Sequence, residues 1–402
     1  MLRNKGYSIN NFNFSLLISV ALLSSIGLIV LQAITQVENT SLFKKQIVGV
    51  VAGLFIALVF AFIDYHFICK YYIALYILNI VLMLICKFVN QSMMPIFYGK
   101  SVEDARRWIH IGPSGGGTDF MPSEITKLVI IICLAQLFVF YEGKINRLSS
   151  LAVIFVVVAI PIVFVLEQPD LSTTIVIGMT FLIMLFVAGL SLKIVIPMLA
   201  VTIPAFIGFL WYIQQDYGNN IIKPYQRDRI LSLLHPEDYP DLMYQQNNAK
   251  AAIEAGGVFG KLVTGDDSSR LTRFVPVVES DFIFSAVGEE LGFVGAAFVI
   301  ILFAAILVLS LRIAFRAKDK IGKYVAIGIA SLICLQAFVN IGVVISILPN
   351  TGIPLPFMSS GLSSLLTNYM LIGILLNIGF QNKDVNPTGD DVIQFGKYHK
   401  KF

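Results

Sequence analysis

The 402-residue chain is 57% hydrophobic and only 13% charged, and its mean hydropathy is +0.81. A soluble domain carries about 25% charged residues, so this composition excludes an ordinary soluble protein and predicts a polytopic membrane protein. The net charge of +4 is too small to indicate nucleic acid as a partner. The four cysteines and four histidines are scattered without CxxC or metal-ligand spacing, which predicts no disulfide framework and no dedicated metal site.

The apolar runs predict an all-α fold with about ten transmembrane helices. The whole chain, 1–402, is predicted to form a single membrane domain whose membrane-embedded core is 14–381. Each run is close to the roughly 20 residues that a bilayer requires. The predicted spans are 14–34, 45–63, 72–89, 123–141, 151–167, 173–190, 194–214, 283–311, 323–348 and 363–380. A long extracytoplasmic loop at 215–282 separates helices seven and eight, and 382–402 is a cytoplasmic tail.

Lysine and arginine cluster in one set of short loops, most densely between Arg312 and Lys323. Such loops face the cytoplasm under the positive-inside rule, so with ten spans both termini are predicted to be cytoplasmic. The longer polar segments 91–122, 215–282 and 349–362 then lie on the outer face. Long translocated segments are largely exempt from the charge rule, so their basic residues do not contradict this orientation.

The first outer motif is EDARRWIHIG at 103–112, where Arg107 and Trp108 stand near a membrane boundary. One interpretation is an interfacial anchor, because tryptophan favours the headgroup region and arginine pairs with lipid phosphates. The other is a site for a phosphorylated lipid, in which the arginine fork binds phosphate oxygens. The residues by themselves leave both interpretations open.

The next motif, MPSEITKL at 121–128, begins the fourth predicted helix and contains Glu124 and Lys127. Their spacing of three places them on one helix face, where they can pair. An acidic residue near a helix start is ordinary, but a charged pair within lipid marks a functional site by default. In the following motif, LEQPDLSTT, Asp170 is better explained as a helix cap.

The long loop carries Arg227 and Arg229 and, further on, the glycine-rich sequence AGGVFGKL. This sequence is not a phosphate-binding P-loop, because GKL lacks the Ser or Thr that would bind magnesium and no strand precedes it. The loop is either a surface that meets anionic headgroups or a solvated loop with helical pieces. Further along, the three prolines of 347–366 predict irregular backbone that is buried in protein or lines a cavity.

The most informative stretch is PVVESDFIFSAVGEELGFVG at 276–295. Asp281 opens a long apolar run there, and Glu289 and Glu290 lie two turns further along. Carboxylates at or inside the end of a membrane helix are expensive to bury, so they predict a functional site.

These motifs together resemble the SEDS family (shape, elongation, division and sporulation proteins). The matching stretches are ARRWIHIG, PSEITKL, QPDLSTT, YQQ with AGGVFGK, SDFIFSAVGEELGF and TGIPLPFMSSG, in the family's order. The TGIPLP form and the short tail are more similar to the RodA branch than to the FtsW branch. The resemblance implies a peptidoglycan glycosyltransferase of the bacterial cytoplasmic membrane that polymerises lipid II on the outer face. It also implies a class B penicillin-binding protein as partner and an essential acid at Asp281.

On this interpretation Asp281 is the general base that takes the proton from an attacking sugar hydroxyl. The leaving polyprenyl pyrophosphate needs cations, which Arg107, Arg227 and Arg229 would supply. A divalent cation, Mg²⁺ or Mn²⁺, could also neutralise this charge, although the sequence offers no dedicated metal cage. The residues predicted to bind substrate are Arg107, Trp108, Glu124, Lys127, Arg227, Arg229, Glu289 and Glu290.

The chain departs from the family pattern in its substrate loops, at Met121, Ser172, Glu254, Glu279 and Leu362. Two alternatives to the polymerase therefore stay open. One is a transporter of a lipid-linked precursor, since intramembrane charge and proline-broken helices are also typical of transporters. The other is a scaffold whose active site has decayed, which Asp281 argues against. The polymerase is favoured because the acidic cluster and the long loops share one side.

Overall fold

A computed structural model describes residues 12–381, except 36–39, 95, 103–104, 114–115, 169, 216–223 and 267–268. Its helices in chain order are α1 (Phe14–Thr35), α2 (Thr40–Phe62), α3 (Tyr65–Lys70), α4 (Tyr72–Phe88), α5 (Pro122–Phe140), α6 (Leu148–Glu167), α7 (Leu171–Val187), α8 (Leu192–Ile213), α9 (Pro224–Leu234), α10 (Pro240–Gly256), α11 (Lys261–Thr264), α12 (Ile283–Arg316), α13 (Lys320–Val344) and α14 (Leu362–Phe380). Three strands lie between α4 and α5: β1 (Phe97–Val102), β2 (Ala105–Ile111) and β3 (Thr118–Phe120).

The predicted all-α membrane fold is confirmed. Within the described residues, eight helices are long and apolar enough to span a membrane, and they match eight predicted spans. The other two predicted spans correspond to α4 and α7, which are apolar but have 17 residues each. That length is the lower limit for a bilayer. The described chain also enters and leaves the bundle at one end, because the rings of Phe12 and Phe380 are 5.8 Å apart.

The centre of the bundle consists of α5, α13 and α14, whose apolar stretches are 78, 72 and 78% buried. None of the apolar stretch of α8 is buried, so this helix lies at the periphery. The predicted ninth span extends too far, because α13 ends at Val344 rather than at 348. The backbone N–H groups of Ile347 and Leu348 turn back and donate to the Gly342 carbonyl, at 2.8 and 3.0 Å.

The segment between α4 and α5, predicted to be extracytoplasmic, folds into a small antiparallel sheet in the order β1-β2-β3. Trp108 on β2 lies opposite Lys100 on β1, next to an irregularity in the register at Lys100/Ser101. At this irregularity no residue of β1 lies opposite Arg107. The two neighbouring arginines have different acceptors, since Arg106 donates to the Lys87 carbonyl and Arg107 to the Gln168 carbonyl. The sequence interpretation described this segment only as a polar loop.

The helix α12 contains the predicted span 283–311, but it is not one regular helix. Its backbone breaks at Gly292, which has φ 64° and ψ −166°. Here the long loop between α8 and α12 lies directly against the helix, since Phe293 N–H donates to the Gly257 carbonyl at 2.9 Å. A Cβ on Gly260 would lie 2.3 Å from the Glu290 carbonyl oxygen. Only glycine permits this close approach, and the break separates the acidic first part of α12 from its apolar remainder.

Candidate functional site

Asp281 lies in the turn that precedes α12, at the end of the bundle that carries the sheet and the long loop. Its carboxylate is half-buried and accepts a hydrogen bond of 2.7 Å from the Ser280 hydroxyl. Gly352 lies opposite with φ 71°, and a Cβ there would come within 3.1 Å of Asp281 Oδ2. A side chain at position 352 would therefore crowd the carboxylate, and the glycine keeps that side of it accessible.

The backbone around Asp281 is fixed by α13 and by the irregular segment 345–361. The buried Asn340 amide donates to the carbonyls of Asp281 and Ile353, both at 2.7 Å. The Ser359 hydroxyl donates to the Ser280 carbonyl at 2.5 Å. These bonds join three parts of the chain that are distant in sequence. As predicted, the irregular segment is buried in protein, because Ile353 is buried along with most of its apolar neighbours.

A second carboxylate, Asp170, lies near Asp281. It caps α7 as predicted, since it accepts from the Thr173 N–H at 3.0 Å. Arg107 is fixed beside it by a 2.8 Å bond from its Nε to the Gln168 carbonyl. Burial raises the pKa of Asp281 and of Asp170, and the Asp170 charge adds to the effect on Asp281. Arg107 opposes both shifts, so it is close enough to stabilise negative charge at either group.

The arginines of the long loop have different positions. Arg229 attracts the Asp281 carboxylate and lowers its pKa slightly against the larger effect of burial. Arg227 instead donates from Nε to the Ile213 carbonyl at 2.7 Å and from Nη2 to the Gln215 carbonyl at 3.2 Å. Arg229 thus acts on the candidate site, whereas Arg227 binds carbonyl groups at the carboxyl end of α8.

The predicted pairing of Glu124 and Lys127 is confirmed. Lys127 Nζ lies 2.7 Å from Glu124 Oε2, and the two side chains are only 1% and 4% exposed. Glu124 also acts electrostatically on Asp170, so the pair adjoins the candidate site. Trp108 is half-buried, and its carbonyl accepts from the Cys86 thiol at 3.6 Å. The substrate-binding roles of these residues stay predictions.

Glu289 and Glu290 have partners in the long loop between α8 and α12. Glu289 accepts from Lys261 Nζ at 2.8 Å and from the backbone N–H groups of Leu271 and Thr272, at 2.6 and 2.8 Å. Glu290 accepts from Arg270 Nε at 2.5 Å. These bonds indicate that Glu289 and Glu290 hold the loop against α12. Their predicted contact with substrate stays a prediction. The sequence analysis did not identify Lys261 and Arg270 as the partners of these carboxylates, although Lys261 directly follows a glycine of the AGGVFGKL motif.

A resident divalent cation does not fit this donor set. In the described part of the chain, no group of three or more His, Cys, Asp or Glu side chains could hold a metal ion. Asp281 and Asp170 have guanidinium groups nearby, and these already supply positive charge. Of the described residues, Arg107 and Arg229 act on Asp281 as positive charges.

The fold and the site define a multi-pass membrane protein with ionisable groups gathered at one end of its helix bundle. The chain belongs to the FtsW/RodA/SpoVE family of cell cycle proteins, whose profile matches residues 10–384. It is 31% identical to a probable peptidoglycan glycosyltransferase FtsW of Trichlorobacter lovleyi, over 96% of this chain and 98% of that protein. It is 32% identical to the peptidoglycan glycosyltransferase MrdB of Escherichia coli K12, over 92% and 93%.

A solved structure supports the fold in three dimensions. One chain of a peptidoglycan synthase complex, described as coordinating polymerisation and crosslinking, matches with a TM-score of 0.73 at 25% identity. The match covers 92% of this chain and 97% of that chain. The SEDS resemblance is therefore confirmed as family membership. Relatives of different names have nearly the same identity, so the preference for the RodA branch stays a prediction.

Proposed function

We propose that this protein is a peptidoglycan glycosyltransferase that polymerises lipid II into glycan strands, with Asp281 as the general base. The observation that carries this proposal is the placement of Asp281. Its carboxylate is half-buried, its backbone is fixed by Asn340, and Arg107 and Arg229 lie within electrostatic reach. The names of the relatives support the reaction type.

In the proposed reaction the 4-hydroxyl of an acceptor sugar attacks the anomeric carbon of a lipid-linked donor. A new glycosidic C–O bond forms, and the C–O bond to the polyprenyl pyrophosphate breaks. Asp281 takes the hydroxyl proton, and its raised pKa brings its basicity closer to the working pH. Arg107 and Arg229 stabilise the negative charge that develops on the leaving pyrophosphate.

We further propose that both termini are cytoplasmic and that the site faces outward. This orientation follows from the basic residues between Arg312 and Lys323, which lie at the end opposite Asp281. The shared end of α1 and α14 supports an even number of crossings. On the outer face the partner would be a class B penicillin-binding protein that crosslinks the product, which agrees with the description of the matched synthase complex.

The test is polymerisation of lipid II by the purified protein, with and without candidate transpeptidases. Asp281→Asn keeps the shape but removes the base, so turnover should fall on the order of 10²-fold or more. Asp238→Asn, an exposed aspartate of the outer loop, is the matched control and should keep wild-type turnover. Near-wild-type polymerisation by Asp281→Asn would refute the assignment. Transport of lipid II across vesicles without any polymerisation would instead favour the flippase alternative.

A further inference from the structure

A pocket that does not include Asp281 lies beside Arg106 of β2. It is a cavity of about 190 Å³ beside the outer ends of α4 and α6. Its lining residues are Met83, Lys87, Arg106, Phe164, Glu167 and Gln168. Arg106 lines this pocket and donates to the Lys87 carbonyl at 2.9 Å, whereas Arg107 donates to the Gln168 carbonyl and acts electrostatically on Asp281.

The charges of this pocket leave an excess of one cation. Lys87 Nζ and Glu167 Oε2 are 2.6 Å apart and neutralise each other. Arg106 adds a guanidinium group, and the described lining residues contain no carboxylate besides Glu167. The pocket therefore matches a ligand with a single negative charge, and a planar guanidinium favours the oxygens of a phosphate.

The pocket also contains a buried acceptor. The Gln168 side chain is 5% exposed, and its Oε1 has no hydrogen-bond partner among the described residues. A buried carbonyl oxygen without a donor is destabilising and uncommon in folded proteins. A ligand that carries a hydroxyl or N–H group would supply the donor. The ligand chemistry indicated by the pocket is thus one negative charge together with a hydrogen-bond donor.

The position and size of the pocket identify the source of this ligand. Met83 and Phe164 form its apolar side, and the nearby Phe88 and Val163 are exposed on the outside of the bundle. The pocket therefore opens at the level of the lipid headgroups. Its volume is below the roughly 300–1,000 Å³ of a site that encloses a drug-sized ligand. It can hold a headgroup, while the acyl chains remain in the bilayer.

We propose that this pocket binds the headgroup of an anionic membrane phospholipid of the phosphatidylglycerol type. The phosphodiester lies against Arg106 and Lys87, and a glycerol hydroxyl donates to Gln168 Oε1. The site is separate from that of Asp281, but the two share Gln168, whose backbone carbonyl accepts from Arg107. A bound lipid would thereby steady the residue that positions Arg107. The proposal does not depend on the polymerase activity.

The experiment is native mass spectrometry of the purified full-length protein with equal amounts of dioleoyl phosphatidylglycerol, phosphatidylethanolamine and phosphatidylcholine. The wild type should retain phosphatidylglycerol about five- to tenfold more than either of the other two lipids. The expected preference is no larger than this because Arg106 is exposed and solvent weakens its attraction for the phosphate. Arg106→Gln should lose this preference. Lys100→Gln is the matched control, because it removes one positive charge from β1 of the same sheet and should bind as the wild type does.

A second variant changes binding in the opposite direction. Glu167→Gln removes the one carboxylate among the described lining residues, so phosphatidylglycerol should be retained more strongly than by the wild type. This variant decides the matter if Arg106→Gln does not fold. Equal retention of the three lipids by the wild type, or equal effects of Arg106→Gln and Lys100→Gln, would overturn the proposal. Unchanged or weaker binding by Glu167→Gln, or a preference for phosphatidylethanolamine, would do the same.

Discussion

The buried pair of Glu124 and Lys127 gives the sharpest energetic prediction. Both side chains belong to α5 and are almost completely buried, so removing one leaves the other without this counter-ion. Breaking a buried pair costs about 3–5 kcal/mol.

The perturbation is a double-mutant cycle of Glu124→Gln, Lys127→Met and the double variant. Each single variant should lower the free energy of unfolding by about 3–5 kcal/mol at neutral pH. The double variant should cost less than either single variant, because it leaves no buried charge. Polymerisation rates should follow the same order.

The assay is reversible unfolding of the purified protein in mixed micelles, read by tryptophan fluorescence at several pH values. The exposed ion pair of Lys320 and Glu142 is the matched control. Its single neutral variants should change the free energy of unfolding by less than about 1 kcal/mol. Additive effects of Glu124→Gln and Lys127→Met would refute the coupling. Lys127 would then act separately, for example on the pyrophosphate.

Three further predictions concern the outer face. Because burial raises the pKa of Asp281, the polymerisation rate should decrease at low pH, with a midpoint above the pKa of about 3.9 of a free aspartate. The same decrease in the residual activity of Asp281→Asn would contradict this. A cysteine in place of Glu237 should react with an impermeant thiol reagent on intact cells, and one in place of Lys318 should not; the reverse pattern would refute the topology. Lys261→Met leaves Glu289 unpaired and should speed amide hydrogen exchange across the outer loop; unchanged exchange there would show that this ion pair does not fasten the loop.

The sequence by itself determined the features that depend on nearby residues. The ten apolar runs predict the membrane helices, because the thickness of the bilayer fixes the length of any span. The spacing of Glu124 and Lys127 predicts their pairing, because residues three apart share a helix face. The cap at Asp170 is equally local. Asp281 was singled out because a carboxylate at a membrane boundary is expensive and therefore informative.

Only the tertiary structure decided which distant groups meet. It placed the Asn340 amide on the Asp281 carbonyl and Arg270 beside Glu290, contacts that span 59 and 20 positions of the chain. It also broke α12 at Gly292, where the loop backbone approaches too closely for any side chain. Glycine permits such a break but does not require it. These contacts arise from helix packing, which periodicity and composition do not encode, and so the partners of each charge became known only with the fold.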